Sequence, residues 1–330
     1  MSKYVISSSP HLRDNVSTTS IMRDVCIALL PAAVAGVLFF GYRSALILAL
    51  SVAAAVLGEW LYCKAAHCRN TIGDFSAVVT GMLLAMNLPS TVPYWMPVIG
   101  SVIAILLCKM IFGGIGQNFI NPALAARAIL ALSWASLMNT FATPAFGNLA
   151  GVDAVASATP IGAAAGTYTL GQLFLGNIPG TIGETCKLAL LIGAAYLFYK
   201  KVITWHIPAA FIGTFAVCYL LKTGFDVNAT LAQLLSGGLI LGAFFMATDY
   251  SSSPATAKGK IVFGIGCGLL TVFIRYFGGY PEGVSYAILL MNICVWLLDK
   301  AGAPERFGVT KEMKAKAKAD KKAAKEGASK

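Results

Sequence analysis

The sequence predicts an all-α integral membrane protein with about ten transmembrane helices, arranged as two inverted five-helix repeats. Three observations carry that expectation: the composition, the spacing of the apolar runs and an internal echo between the two halves. Of 330 residues, 57% are hydrophobic and 12% charged, with a mean hydropathy of +0.74. Soluble domains run about 45–50% apolar and about 25% charged, so charge here is roughly halved. This composition excludes a water-soluble two-domain enzyme, a disordered chain and a small disulfide scaffold. The 33 glycines suit transmembrane helices, which tolerate Gly better than soluble ones do.

The chain divides by composition. Residues 1–23 are polar and carry Lys3, Arg13 and Arg23, with no apolar stretch and cleavage site of the kind a signal peptide needs. Apolar runs follow at about 24–40, 44–63, 75–88, 94–112 and 120–138, a first membrane repeat over 24–138. Most approach the roughly 20 residues that cross about 30 Å of hydrocarbon. The third is short, and Asn87-Leu88-Pro89 marks it as broken or re-entrant. Residues 139–183 form a long connection without Lys or Arg and with one acid, Asp153. Long connections of this kind are functional or disordered. Its Pro144, Phe146, Tyr168, Leu170 and Phe174 predict a packed segment. A second repeat over 184–299 holds runs at about 184–199, 206–221, 231–248, 260–276 and 283–299.

The echo is local but well placed. Lys109-Met110-Ile111-Phe112-Gly113-Gly114 ends the fourth run and Arg275-Tyr276-Phe277-Gly278-Gly279 the ninth, with Phe277 lying 165 residues after Phe112. Five crossings is an odd number, so the two halves run in opposite directions. Inverted repeats place their site between the halves, near broken helices.

Charge sets the orientation. With ten spans and the N-terminus inside, twenty Lys/Arg lie in inner segments and five (Arg43, Arg127, Lys187, Lys222, Arg275) at outer positions. Cytoplasmic loops are the basic ones, so both termini belong in the cytoplasm and 139–183 falls outside. The net charge of +11 is mostly a tail effect: residues 300–330 hold ten Lys/Arg and four Asp/Glu, with Lys alternating with Ala. A solvated cationic tail lying on anionic lipid accounts for it, and nucleic acid is not an expected partner.

Chemistry-bearing constellations are few. The eight cysteines show no C-x-x-C spacing, and Cys63 and Cys68 merely flank a basic loop. His11, His67 and His206 sit at helix edges, and no metal site is expected. There is no Walker A loop, nucleophile elbow or H-E-x-x-H. Redox work would need a cofactor. Val152 to Pro160 is the unusual segment: it is rich in small residues, Pro160 holds Thr159 extended, and the hydroxyl is open to a modifying enzyme. On composition alone a flexible small-residue turn is the leading reading.

Several blocks together resemble one family. They are Ser8-Ser9-Pro10-His11 with Ile21-Met22-Arg23-Asp24; Phe112 to Asn118 with Asn121-Pro122-Ala123; Trp205-His206-Ile207-Pro208; Gly242-Ala243-Phe244-Phe245 with Thr248-Asp249; and Arg275 to Asn292. The chain thereby resembles the D subunits of Rnf ion-translocating ferredoxin:NAD+ oxidoreductases, and more distantly the B subunits of sodium-translocating NADH:quinone reductases. The resemblance spans residues 8–299 and leaves out the tail.

It implies a translocase subunit, not catalytic alone, that carries FMN as a phosphoester on a threonine of the outer loop. The transferase pattern places Asp six residues before that Thr, a hydroxyl residue three before, and often Gly two before. Asp153 and Ala158-Thr159 fit, whereas Ala156 departs from the pattern and Ser157 takes the usual glycine position. Thr159 is the expected phosphoryl-threonine acceptor, with Asp153, Ser157 and Ala158 as its recognition segment. The resemblance further implies electron transfer between ferredoxin and NAD+ coupled to Na+ or H+ export, in a prokaryotic cytoplasmic (inner) membrane. Implied partners are a second covalent-flavin subunit, membrane iron–sulfur subunits and an NADH-binding subunit. A further, non-covalent flavin is a possible second cofactor.

Three more positions are candidate cofactor contacts. Gly114 and Asn118 lie in Gly113 to Asn118, read as irregular backbone of the kind tolerated at membrane depth only inside protein or along a cavity. Arg127 lies within an apolar run, where a charge is costly and marks a site, with Glu184 or a flavin phosphate as partner. Asp249 reads first as a helix-end carboxylate, with an ion-path role as the alternative, and His206 as a helix-start residue. The alternative function is a non-redox channel or transporter, because inverted five-helix repeats also resemble urea transporters.

Overall fold

A computed structural model describes residues 16–144, 146–147, 168–278 and 283–302. Ser8 to His11, the segment from Asp153 to Thr159 with Ser157 and Ala158, and the lysine tail lie outside the described residues. Every regular element among the described residues is helical: α1 Thr18–Phe40, α2 Tyr42–Ala65, α3 Ser76–Met86, α4 Trp95–Ile105, α5 Pro122–Ser133, α6 Ala135–Met138, α7 Leu170–Leu175, α8 Lys187–Tyr199, α9 His206–Lys222, α10 Val227–Leu235, α11 Leu239–Leu241, α12 Ala257–Phe277 and α13 Val284–Gly302. Two π turns, Leu106–Met110 and Gly242–Met246, extend α4 and α11.

Four helices (α1, α2, α12 and α13) are long and apolar enough to cross a membrane, and α10 with the α11 segment, bent by 67° at a short break, passes the same test as a pair, which is the signature of a broken span or a re-entrant loop. Five shorter apolar helices, of 10–17 residues, complete the set. All ten expected runs carry helix. The eighth differs from expectation, since Ser236-Gly237-Gly238 breaks it, with Gly237 at φ +67°. Gly is common inside membrane helices, which hides such a break in the sequence. In the long connection a capping box, Thr169 with Gln172, starts the short helix α7.

Packing relates the two halves. α1 lies against α8, α2 against α3 and α4, α9 against α12, and α12 against α13. Small residues permit these approaches: a Cβ at Gly193 would collide with the Ala28 carbonyl oxygen between α8 and α1, and one at Gly264 would lie 2.8 Å from Ile207 O between α12 and α9. The main core is an apolar cluster from Ala28 through Leu84, Met86, Phe211 and Met246 to Ile288, with two small satellites around Ala55 and Ile105 and around Phe39 and Phe40. Within it the ends of α3 and α11 meet. Asn87 Nδ2 lies 3.7 Å from Met246 Sδ, and Asn121 Nδ2 donates to Met246 O at 3.3 Å.

The connections sort into two ends. At the end holding the start of α1 and the finish of α13, Tyr196 Oη bonds Asp24 at 3.0 Å and Ala255 N donates to Asp299 at 2.9 Å. At the opposite, loop end, Gly147 N donates to Leu38 O at 3.2 Å. There Arg43 donates to Thr91 O and Val92 O, at 3.0 and 3.2 Å, beside the break after α3.

Candidate functional site

Polar groups inside this apolar bundle collect at two places, one at each end. At the terminal end a cleft with about 90 Å³ of interior space lies between the halves. Its walls are largely apolar, from Met22, Val25, Leu83, Leu197, Phe244 and Phe245, with Thr80, Lys109, Asn118, Asn121 and Asp249 as polar points. Apolar walls with a few convergent polar groups are the usual lining of a small-ligand site, and this cleft is narrow against the roughly 300–1,000 Å³ such sites span.

Local sequence explains how these groups are presented. Gly113, Gly114 and Gly116 all take positive φ (112°, 92° and 83°), a run that side-chain-bearing residues adopt at a cost. The chain thereby turns sharply out of α4 and returns as α5. Asn121 caps α5, accepting from Ala123 N at 3.1 Å and Leu124 N at 3.3 Å, with Pro122 in the first turn. Asn118 is buried and its Oδ1 has no hydrogen-bond partner among the described residues. A buried amide oxygen in that state suits a ligand's donor at the cleft wall.

Lys109 forms the floor. The π turn at the end of α4 points it inward, where it is 2% exposed and bonds Glu59 Oε2 and Ser76 Oγ, each at 2.6 Å. Glu59 is 0% exposed and also accepts from the Thr71 hydroxyl. This pair is the one ion pair within 4.0 Å among the described residues. At the mouth, Asp249 Oδ2 accepts from Ser251 at 2.9 Å and Ser252 at 2.8 Å, the helix-end role expected of it.

The loop-end site is cationic. Lys187 (0% exposed) donates to Glu184 O and, at 2.8 Å, to Gly237 O. Arg275 donates to Gln233 O at 2.9 Å and Ser236 O at 3.1 Å, and its guanidinium lies 5.0 Å from the Phe215 ring centroid. Both side chains satisfy carbonyls at the break between α10 and α11. Arg127 bonds the Ser285 hydroxyl, and Glu184 interacts electrostatically with Arg127, Lys187 and Arg275.

The structure therefore separates the predicted residues. Asn118 lines the terminal-end cleft, and Gly114 shapes the turn leading to it without lining it. Arg127 belongs to the loop-end cluster, bonded to the Ser285 hydroxyl and interacting electrostatically with Glu184. His206 begins α9. No group of three or more His, Cys, Asp or Glu among the described residues could hold a metal, and the eight cysteines are free thiols. Sequence reasoning missed the Glu59–Lys109 pair. The signal was present, since Glu59 is a carboxylate inside an apolar run, which marks a site by default.

A family model described as the NQR2, RnfD, RnfE family matches residues 5–308. The chain is 49% identical over 322 residues to the D subunit of the Na+-translocating ferredoxin:NAD+ oxidoreductase complex of Acetobacterium woodii, covering 95% of this chain and 98% of that one. It is 44% identical over 321 residues to the D subunit of the proton-translocating ferredoxin:NAD+ oxidoreductase complex of Clostridium ljungdahlii, covering 92% and 96%. It is 34% identical over 340 residues to the D subunit of the ion-translocating oxidoreductase complex of Halorhodospira halophila, covering 92% and 95%.

Proposed function

Because the chain belongs to the NQR2, RnfD, RnfE family, we propose that it is the flavin-carrying membrane component, the D subunit, of an ion-translocating ferredoxin:NAD+ oxidoreductase. The carrying observation is near-complete coverage by subunits of that complex, at up to 49% identity. Its expected setting is a prokaryotic cytoplasmic membrane, crossed ten times by two inverted repeats with both termini inside. The opposed ends of the bundle, each with its own polar site, are compatible with that arrangement. Other subunits of the complex are its partners, and the coupling cation is Na+ or H+.

Thr159 holds FMN through a phosphoester on its side-chain oxygen, and Asp153, Ser157 and Ala158 form the segment a transferase recognises. When bound, the flavin supplies one- and two-electron chemistry that no side chain here provides. The chain's own contribution is placement and charge. Arg127, Lys187 and Arg275 give the loop end positive charge suited to a phosphate-bearing, electron-accepting group. At the other end, the apolar walls of the cleft exclude water, the Asn118 oxygen offers an acceptor and Lys109 a cationic floor. These features suit a second, non-covalent flavin, although the cleft would have to widen around a full isoalloxazine.

The test is an in-gel assay. The wild-type subunit should fluoresce on a denaturing gel and show the mass of one FMN phosphoester, and Thr159→Ala should lose both while still inserting into the membrane. Covalent flavin persisting in Thr159→Ala would overturn the site, and its absence from the wild type would overturn the flavin reading.

A further inference from the structure

The hydrogen bonds of the Glu59–Lys109 pair continue outward to the protein surface. Lys109 Nζ donates to Ser76 Oγ at 2.6 Å, and the Ser76 hydroxyl donates to Asp74 Oδ1 at 2.5 Å. Ser76 is buried, whereas Asp74 is half-buried between the exposed Gly73 and Phe75. These residues belong to the connection from α2 to α3, which lies at the terminal end. Three side chains thus join a buried ammonium to the surface. Glu59 lies beside this chain and accepts from Lys109 at 2.6 Å and from the Thr71 hydroxyl.

Stabilising the buried pair explains part of this arrangement. Glu59 needs a cation, and Lys109 needs the acceptors that Glu59 and Ser76 supply. Asp74 also accepts from Ser76 N at 2.8 Å and so holds the first N–H of α3, where Phe75, at φ +63°, offers no side-chain cap. Neither need calls for an ionisable group at position 74, because the amide oxygen of Asn serves a helix start as well as Asp does. What a carboxylate adds is the capacity to take a proton from water and pass it on.

The inner end of the chain opens on the cleft. Ser76 and Lys109 both line it. Of the three ammonium N–H groups, Glu59 and Ser76 take two, which leaves one for the cleft. The interior is only about 90 Å³, so a ligand seated there displaces its water and closes the route from the mouth. A proton for that ligand then comes from behind the floor. The helices packed on the turn Ile72–Asp74 carry other titratable groups near this end, Arg23, Asp24 and Cys26 on α1 and Tyr62, Cys63 and Lys64 on α2. Asp24 is bonded to Tyr196, and Lys64 lies over the Trp60 ring.

We infer that Asp74, Ser76 and Lys109 relay protons from the terminal-end surface to a ligand in the cleft, with Glu59 balancing the charge at the inner end. The inference rests on the proposal that this ligand is a non-covalent flavin, which gains protons when reduced. Lys109 gives a proton from Nζ to the reduced ligand. The Ser76 hydroxyl turns and gives its proton to the resulting amine, while its oxygen takes one from Asp74, protonated by water at the surface. The hydroxyl then turns back toward Asp74. One proton passes from water to the ligand, and no electron moves along the chain. The electrons come from a reduced carrier of the complex. Lys109 touches the ligand, and Asp74 and Ser76 act through it.

The experiment uses the full-length subunit carrying Thr159→Ala, so that a flavin of the cleft is the one left to reduce. Flavin released by acid is counted first in each variant. Stopped-flow reduction by reduced methyl viologen, which releases no proton, then follows proton uptake with a pH-indicator dye. Asp74→Asn keeps the oxygen that holds α3 and should slow proton uptake by about tenfold or more. Ser76→Ala interrupts the chain and should slow it similarly. Azide, a small weak acid, should restore Asp74→Asn but not Ser76→Ala, because it delivers protons at the surface and not across the gap. Proton uptake at the parent rate in both variants, with flavin occupancy unchanged, overturns the relay and leaves the flavin proposal standing. Slowing in Asp74→Asn that azide does not relieve also overturns it, since that marks a distorted cleft and not a lost proton carrier. A parent subunit that releases no flavin overturns both.

Discussion

Replacing Lys109 with Met breaks the buried pair and leaves the Glu59 carboxylate facing apolar side chains. Both partners are essentially inaccessible, at 2% and 0% exposure, and their 2.6 Å contact is supported by Ser76 and Thr71. Removing one member of such a pair costs about 3–5 kcal/mol, because the remaining charge loses its compensation in a medium of low polarisability. That is roughly two to three and a half orders of magnitude in the folding equilibrium. Removing both charges, in Lys109→Met with Glu59→Gln, takes away the cause of the penalty. The double variant should recover at least about half of the loss, giving a coupling of about 2 kcal/mol. Titrating the detergent-purified subunit with a denaturing surfactant measures this, and the indole of Trp60, next to Glu59, is a local reporter. A single-variant cost below about 1 kcal/mol, with additive effects in the double, would refute the reasoning. Lys109 would then be hydrated through the cleft in the folded protein, and the pair would behave like an exposed one.

Gly193→Ala places a methyl against the Ala28 carbonyl oxygen and should cost about 1–3 kcal/mol by forcing α1 and α8 apart, read as earlier unfolding in the same titration. Unchanged stability would mean the two helices are free to separate. Reporter fusions after Lys330 should be active only in the cytoplasmic sense and fusions at Gly151 only in the outer sense. A cytoplasmic signal at Gly151 would overturn both the topology and the proposed side of the flavin.

Helix positions were legible in the sequence because apolar run length and Pro/Gly punctuation act locally. The expected start of the ninth run at residue 260 and the observed start of α12 at Ala257 differ by the first turn, which Thr256 caps through Gly259 N. The third run ends at Met86, where Asn87-Leu88-Pro89 announced a stop. What stayed hidden depends on distance in sequence. Glu59 and Lys109 lie 50 positions apart, as do Lys187 and Gly237, and no periodicity relates them. Arg127 was recognisable because a guanidinium in an apolar run must be compensated somewhere. The carbonyls that hold Lys187 and Arg275 could not be anticipated, because Gly237-Gly238 reads equally well as continuous helix.

The structure also changes what the five outer basic residues mean. Counting them against the twenty inner ones assumes that each faces water or headgroups, which is the condition under which loop charge opposes translocation. Four do not meet that condition. Lys187 is buried, and Arg43, Arg127 and Arg275 are half-buried and turned onto protein: the carbonyls of Thr91 and Val92, the hydroxyl of Ser285, and the carbonyls of Gln233 and Ser236. Lys222, exposed beside the Tyr276 ring at 4.0 Å, is the outer one that remains. Lys109, counted inside, is buried and drops out in the same way. The exposed bias is therefore steeper than the raw count, and it strengthens the expectation of cytoplasmic termini. It follows that basic residues at the loop end are tolerated because the interrupted helices there present carbonyls that need donors.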